Sequence, residues 1–308
     1  MNKHHYRQPD ADSSEPEDIA SRSARLATYS GPDRVISRAE LEAEIASAPP
    51  VKKFNTGISG LDALVDGIEA GELIAIGGPR KNGKTLLAQT LTSHLVDQGA
   101  ECLWLSYEVP PRLFVRQVPG SVRFFAPRSL RAADLFWLED RIIEAGLKHE
   151  TRCVFIDNLH FLVDLTHRGN ISLDIGTIVR ALKRMAIEHN LVIFILCHSR
   201  KPDIDKKTGI IAEVTDWDLR DSSFVPQESD TTWMVQRSAD GKTMVKVCCH
   251  RRTGKMAEKI WMHKPGLLLE EWFDESNSVE SPGISGYSPS GSNDGLANDA
   301  DGTLPIDD

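Results

Sequence analysis

Aromatic residues are scarce, at 6% of the 308-residue chain, and the five cysteines form neither a C-x-x-C pair nor a secreted-type framework. A disulfide-built extracellular scaffold is therefore excluded; four of the cysteines sit in apolar, strand-like runs, where a reduced thiol acts as a small hydrophobe. No apolar run approaches the ~18–20 residues a membrane helix needs. Met1-Asn2-Lys3-His4-His5 opens without the apolar stretch of a signal peptide. The expected compartment is cytoplasmic, with no membrane partner. Positive charge is also short: the net charge is −9, which at first sight argues against nucleic acid. The distribution of charge argues otherwise. Residues 274–308 hold eight acids and no Lys or Arg, and residues 1–50 hold nine acids against six bases, which leaves residues 51–273 at +2. Local loops of that central region can bind polyanions.

What is present is enough for a core, with 40% hydrophobic and 26% charged residues. Residues 1–35 are rich in Ser, Asp, Glu and Pro and read as disordered. Ser37 followed by Glu40 is a capping-box pattern for a short helix at about 37–47, which Pro49-Pro50 ends. Residues 1–50 are thus a disordered segment carrying one linker helix, 51–273 the folded domain, and 274–308 an acidic disordered tail.

Within the domain, short apolar runs at 73–77, 102–107, 122–125, 153–156 and 192–197 read as strands buried on both faces. Helical spacing of apolar residues marks 85–96, 132–147 and 175–189. This alternation predicts an α/β fold, a mostly parallel sheet flanked by helices. The runs 232–236, 244–249 and 259–263 follow closely on one another and predict an antiparallel C-terminal extension.

Gly78-Pro79-Arg80-Lys81-Asn82-Gly83-Lys84-Thr85 satisfies G-x-x-x-x-G-K-[S/T]. Its glycines let backbone N–H groups close around phosphates, and the helix beginning near Lys84 points its positive end at the same anion. Lys84 would reach the β- and γ-phosphates of ATP, and the Thr85 hydroxyl would ligate Mg²⁺. A metal-bound triphosphate needs a further acid; Asp157, ending the apolar run 153–156, has the form of a Walker B aspartate. Glu108 ends the strand that should lie beside the phosphate-loop strand, where a carboxylate can orient water. On the residues alone it is equally a surface Glu before Pro110-Pro111.

Phe54-Asn55-Thr56-Gly57-Ile58-Ser59-Gly60-Leu61-Asp62, then Gly71-Glu72-Leu73 before the loop, resembles RecA/KaiC-like P-loop ATPases. Further stretches resemble the motor domain of DnaB-type hexameric replicative helicases, the group that includes the mitochondrial Twinkle helicase and phage relatives. Ser106-Tyr107-Glu108-Val109 is similar to their catalytic-glutamate segment, and Ile156-Asp157-Asn158-Leu159-His160-Phe161 to their Walker B motif, with His160 where Gln is usual. His198 falls on their phosphate-sensor position. Asp218-Leu219-Arg220 is similar to their Asp-Leu-Arg segment, and His250-Arg251-Arg252-Thr253-Gly254 to the stretch holding their arginine finger. Arg251 and Arg252 are both open as the finger, because Cys249 or His250 stands where the family has a Lys.

The resemblance covers roughly residues 50–273. It implies an ATP hydrolase acting as a helicase or translocase on single-stranded DNA, a homo-oligomeric and hexameric ring, and a replication or loader protein as a further partner. It makes the helix at 37–47 either the linker that grips the next subunit or a helix on its own domain. Residues 1–50 are short for the family's N-terminal domain. It also implies pore loops that follow DNA phosphates, with Arg168 and Asn170 in the first and Lys206 and Lys207 in the second; neither loop carries an aromatic for base stacking. Two other readings remain: a regulatory or recombination-mediator ATPase that unwinds nothing, and an adaptor that binds ATP only to hold a ring together.

Overall fold

The computed structural model describes residues 18–163, 170–203, 211–219, 223–255 and 259–273. Arg168, Lys206 and Lys207, Arg220 of the Asp-Leu-Arg segment and the acidic tail lie outside them. Met1–Lys52 and Lys53–Asp308 form separate units.

In the first unit, α1 (Ile19–Ala27) is capped by the Asp18 carboxylate, which accepts from the N–H groups of Ala20 and Ser21. Composition alone assigns this stretch to disorder; the local Asp cap supplies the helix start that the composition hides. The second helix, α2 (Arg38–Ser47), has the expected reciprocal capping box of Ser37 and Glu40.

The second unit opens with the short pair β1 (Lys53–Phe54) and β2 (Ile68–Glu69), which enclose α3 (Ser59–Val65). An eight-stranded sheet follows. Its parallel part consists of β3 (Leu73–Gly78), β4 (Glu101–Ser106), β5 (Thr151–Asp157), β6 (Val192–His198) and β7 (Thr231–Arg237). The antiparallel part adds β8 (Thr243–His250), β9 (Lys259–His263) and β10 (Glu270–Glu271), each antiparallel to its neighbour. The order is β10-β9-β8-β7-β3-β6-β5-β4. The predicted mostly parallel sheet with an antiparallel C-terminal extension is present. Helices α4 (Lys84–Asp97), α5 (Pro111–Gln117), α6 (Leu135–His149), α7 (Ile171–Glu188) and α8 (Phe224–Glu228) complete the unit.

Two expectations need correction. Residues 122–125 are not a strand; a single parallel bridge joins Phe125 to Leu103, made by Phe125 N–H to Cys102 O and Trp104 N–H to Phe125 O, both 2.8 Å. The strand β4 does not lie beside β3 but at the sheet edge, with β6 and β5 between. Glu108 still reaches the site, because the chain leaving β4 crosses the end of β5. The N–H groups of Tyr107 and Glu108 both donate to Asp157 O.

Four of the aromatics form a row across the sheet. Trp104, Phe155 and Phe194 occupy paired positions on β4, β5 and β6, and Trp233 on β7 reaches Phe194 across β3, with centroid separations of 4.8, 4.4 and 6.2 Å. All four are essentially inaccessible to solvent. The two indole N–H groups stay satisfied by Thr92 and Thr231 hydroxyls. This face packs α3, α4 and α5; the opposite face, built on Ala75, Leu105, Ile156 and Ile195, packs α6, α7 and α8. Strands buried on both sides explain the continuous apolar runs. No helix among the described residues is long and apolar enough to cross a membrane.

Candidate functional site

The loop 78–85 leaves β3 and enters α4 at the C-terminal edge of the sheet. Gly78 has φ +149°, and a Cβ there would lie 2.1 Å from the Val235 carbonyl oxygen, so only glycine lets the loop turn this close to β7. Gly83 is left-handed at φ +99° and caps α4 without a side chain, leaving the helix N–H groups open to an anion. Asn82 pins the loop: its amide donates to Arg80 O at 2.9 Å and its Oδ1 accepts from Arg237 N–H at 2.8 Å. Lys84 Nζ donates to Gly78 O and Pro79 O at 2.8 and 2.9 Å. Burial pushes its ammonium pKa down, opposed by Asp157 and Glu108. Pro79, Arg80 and Lys81 complete the loop.

The end of β5 brings the acid. The Thr85 hydroxyl donates to Asp157 Oδ2 at 2.7 Å, so the two expected Mg²⁺ ligands are neighbours. Asp157 is 1% exposed. Burial raises its pKa to about 6, with Glu108 adding to the rise while Thr85 and Lys84 oppose it. Hard oxygen donors beside a phosphate loop, one of them a carboxylate short of counter-charge, fit a magnesium nucleotide. A carboxyl with a folded pKa of about 6 against 3.8 unfolded destabilises the fold above about pH 6, and that cost fades toward pH 4. Asp157→Asn is therefore expected to stabilise the metal-free protein by about 1–3 kcal/mol at pH 7–8, with the gain vanishing near pH 4. Thermal unfolding across that range checks it.

Two more predicted residues converge here. His198 ends β6, level with Gly78. Glu108 Oε2 lies 3.5 Å from His198 Nε2. The Asn158 side-chain amide stands between them, donating to Glu108 Oε2 and to His198 Nε2 at 3.0 Å each. Burial, then the charge of Lys84, depresses the His198 pKa to about 4, so the ring is neutral at pH 7. A cavity of about 450 Å³ joins Lys81, Gly83, Lys84, Thr85, Glu108 and His198 to Gln89, Arg116, Arg237 and Lys264. The sequence pattern includes Asn158 without giving it a role, and it does not point to the last four, of which Gln89 lies on α4 and Arg116, Arg237 and Lys264 come from three other segments with no shared motif. Asn158 has one available signal, its place directly after Asp157.

Arg251 and Arg252 lie elsewhere. His250 pairs with Thr231, which pairs with Ile74 at the start of β3. Both arginines therefore sit beyond the N-terminal ends of the parallel strands, on the order of 13 Å of strand away from Gly78. Arg252 is committed within its own chain. Its five N–H groups have five acceptors: Nε to Glu72, Nη1 to the Asp66 carbonyl and carboxylate, and Nη2 to Val65 O and Gly67 O at 2.9 and 2.7 Å. With Thr253 on Leu64 O and Lys255 on Ala63 O, the turn caps the C-terminal carbonyls of α3. Arg251 is exposed, and its Nη2 donates to Gln227 O.

The segment 54–62 is likewise architectural: the Asp62 carboxylate accepts from Thr56 and Gly57 N–H groups. Asn170 caps α7, its Oδ1 accepting from Ser172 N–H at 3.0 Å. Just past the second loop, Trp217 is 78% exposed on a short turn whose ends are tied by Thr215 and Asp218. An aromatic therefore stands next to a loop that holds none.

The AAA_25 family profile, described as an AAA domain, matches residues 41–203, more than half the chain. No curated protein matches the sequence. Among solved structures, an isolated ATPase domain superposes with a TM-score of 0.60 at 16% identity, covering 73% of this chain and 92% of that one. A DnaB-like replicative helicase, solved in a study of its interactions with primase, gives 0.62 at 17% identity, covering 82% and 71%. The loop, the acid beside it and the sheet order thus occur in a chain that belongs to the AAA_25 family of ATPase domains and has the RecA-like fold of DnaB-type helicase motors.

Proposed function

We propose that the protein is an ATP-driven motor that moves along single-stranded DNA as a head-to-tail hexameric ring and unwinds duplex ahead of it. One observation carries the reading. Lys84, Thr85, Glu108 and Asp157 form a hydrolytic set at one edge of the sheet, while the exposed Arg251 lies at the other, where a neighbouring subunit's nucleotide can meet it and its own cannot. Such a contact is heterologous, and a heterologous contact gives a ring when its rotation closes. The two structural neighbours, an ATPase domain and a replicative helicase, support the same direction, the latter with primase as a kind of partner.

In this mechanism the loop N–H groups and Lys84 hold the β- and γ-phosphates. Thr85 and Asp157 would hold Mg²⁺, which when bound would neutralise phosphate charge. Glu108 orients and deprotonates the attacking water, His198 stands at the γ-phosphate-sensing position, and Arg251 stabilises the transition state in the adjacent subunit. Arg168, Asn170, Lys206 and Lys207 contact DNA phosphates. Cytoplasmic placement accords with this role.

ATP hydrolysis is expected to rise on adding single-stranded DNA, and a forked duplex to separate only with ATP and Mg²⁺. Hydrolysis indifferent to DNA, with no strand separation, would identify a RecA/KaiC-like regulatory ATPase instead.

A further inference from the structure

We infer that Asn158 is a positioning residue for hydrolysis, whose one amide group fixes both the Glu108 carboxylate and the tautomer of His198. This rests on the reading of Glu108 as the water-orienting base. Asn158 is 3% exposed. Its Oδ1 accepts from the His160 backbone N–H at 3.1 Å. A backbone donor admits only the oxygen at that end, so the NH₂ is turned toward the site. Its two hydrogens then go to Glu108 Oε2 and His198 Nε2.

An NH₂ group has no lone pair to offer. The Nε2 of His198 must therefore be the bare nitrogen, and the ring proton sits on Nδ1. That Nδ1 is buried without a hydrogen-bond partner among the described residues. The arrangement also keeps two acceptors, Glu108 Oε2 and His198 Nε2, at 3.5 Å from each other without a proton between them. Remove the amide, and the imidazole gains by moving its proton to Nε2 and donating straight to Glu108. The carboxylate would then be occupied by the ring rather than by water. Asn158 thus keeps the base free for water by holding the ring in the tautomer that cannot donate to it.

Asn158→Ala is expected to lower kcat by ~10²-fold, the scale of a misplaced reacting group, with the affinity for a fluorescent ATP analogue unchanged because Lys84 and the loop are untouched. Asn158→Asp keeps the shape and the acceptor for His160 N–H but replaces the donor with charge facing Glu108, so its kcat should fall at least as far. A residue that merely fills space would show the reverse order, with Asp tolerated. In a Glu108→Gln background, Asn158→Ala should cost almost nothing further. Parental kcat in either single variant, or a fully multiplicative loss in the double variant, would overturn the inference. Should Asn158→Ala fail to fold, the isosteric Asp variant and the analogue-binding assay still decide it. A parent without ATPase activity would overturn the reading of Glu108 itself, and this inference with it.

Discussion

Glu108→Gln is expected to bind ATP like the parent and to hydrolyse it ~10²–10⁴-fold more slowly, the usual contribution of a positioned base. The substitution keeps the shape and an oxygen acceptor for Asn158, so the hydrogen bond at 3.0 Å survives while the basic charge does not. Lys84→Ala should behave differently. Lys84 lies against the loop carbonyls of Gly78 and Pro79 and places its positive charge there, so its loss removes nucleotide affinity as well as turnover. Single-turnover hydrolysis beside equilibrium binding of an ATP analogue separates the two cases. Turnover at the parental rate in Glu108→Gln would remove that residue from the chemistry.

The arginine pair gives the second large effect, because the two neighbours should fail in different ways. Arg251→Ala is expected to fold and bind ATP normally yet lose ~10³–10⁵-fold in turnover, the range of a finger acting in trans. Arg252→Ala should instead lose stability. It strips the capping donors from Val65, Asp66 and Gly67 and leaves the buried Glu72, whose pKa burial already raises, without its cation. Each unsatisfied buried group costs roughly 1–3 kcal/mol. Chemical denaturation alongside ATPase rates distinguishes them. Mixing Arg251→Ala with Glu108→Gln should restore activity at composite interfaces that combine the intact half of each. No recovery despite confirmed subunit exchange would place Arg251 outside the transition state.

The convergence of Lys84, Thr85, Asp157, Glu108 and His198 is legible in the sequence because each ends or follows a parallel strand. In such a sheet all C-terminal ends share one edge, so sequence order alone carries the group together. The position of β4 is not legible. Periodicity reports which faces a strand buries, and β4, β5 and β6 are all apolar on both; nothing local says which of them pairs with β3. The roles of Arg251 and Arg252 are illegible for a related reason. Adjacent residues in a turn point to different surroundings, and what surrounds Arg252 is the end of a helix some 190 residues earlier.

The chain by itself determined the α/β class, the phosphate loop and its acid, since these depend on local spacing: a strand, two glycines, a lysine at a helix start, and an acid at a strand end. Tertiary structure alone decided three other matters. It made Asn158 the bridge between Glu108 and His198, made Arg252 a clasp on α3, and set Arg251 at the far edge of the sheet. Each depends on long-range pairing, through which side chains distant in sequence come within hydrogen-bond reach, and no short-range pattern encodes that distance.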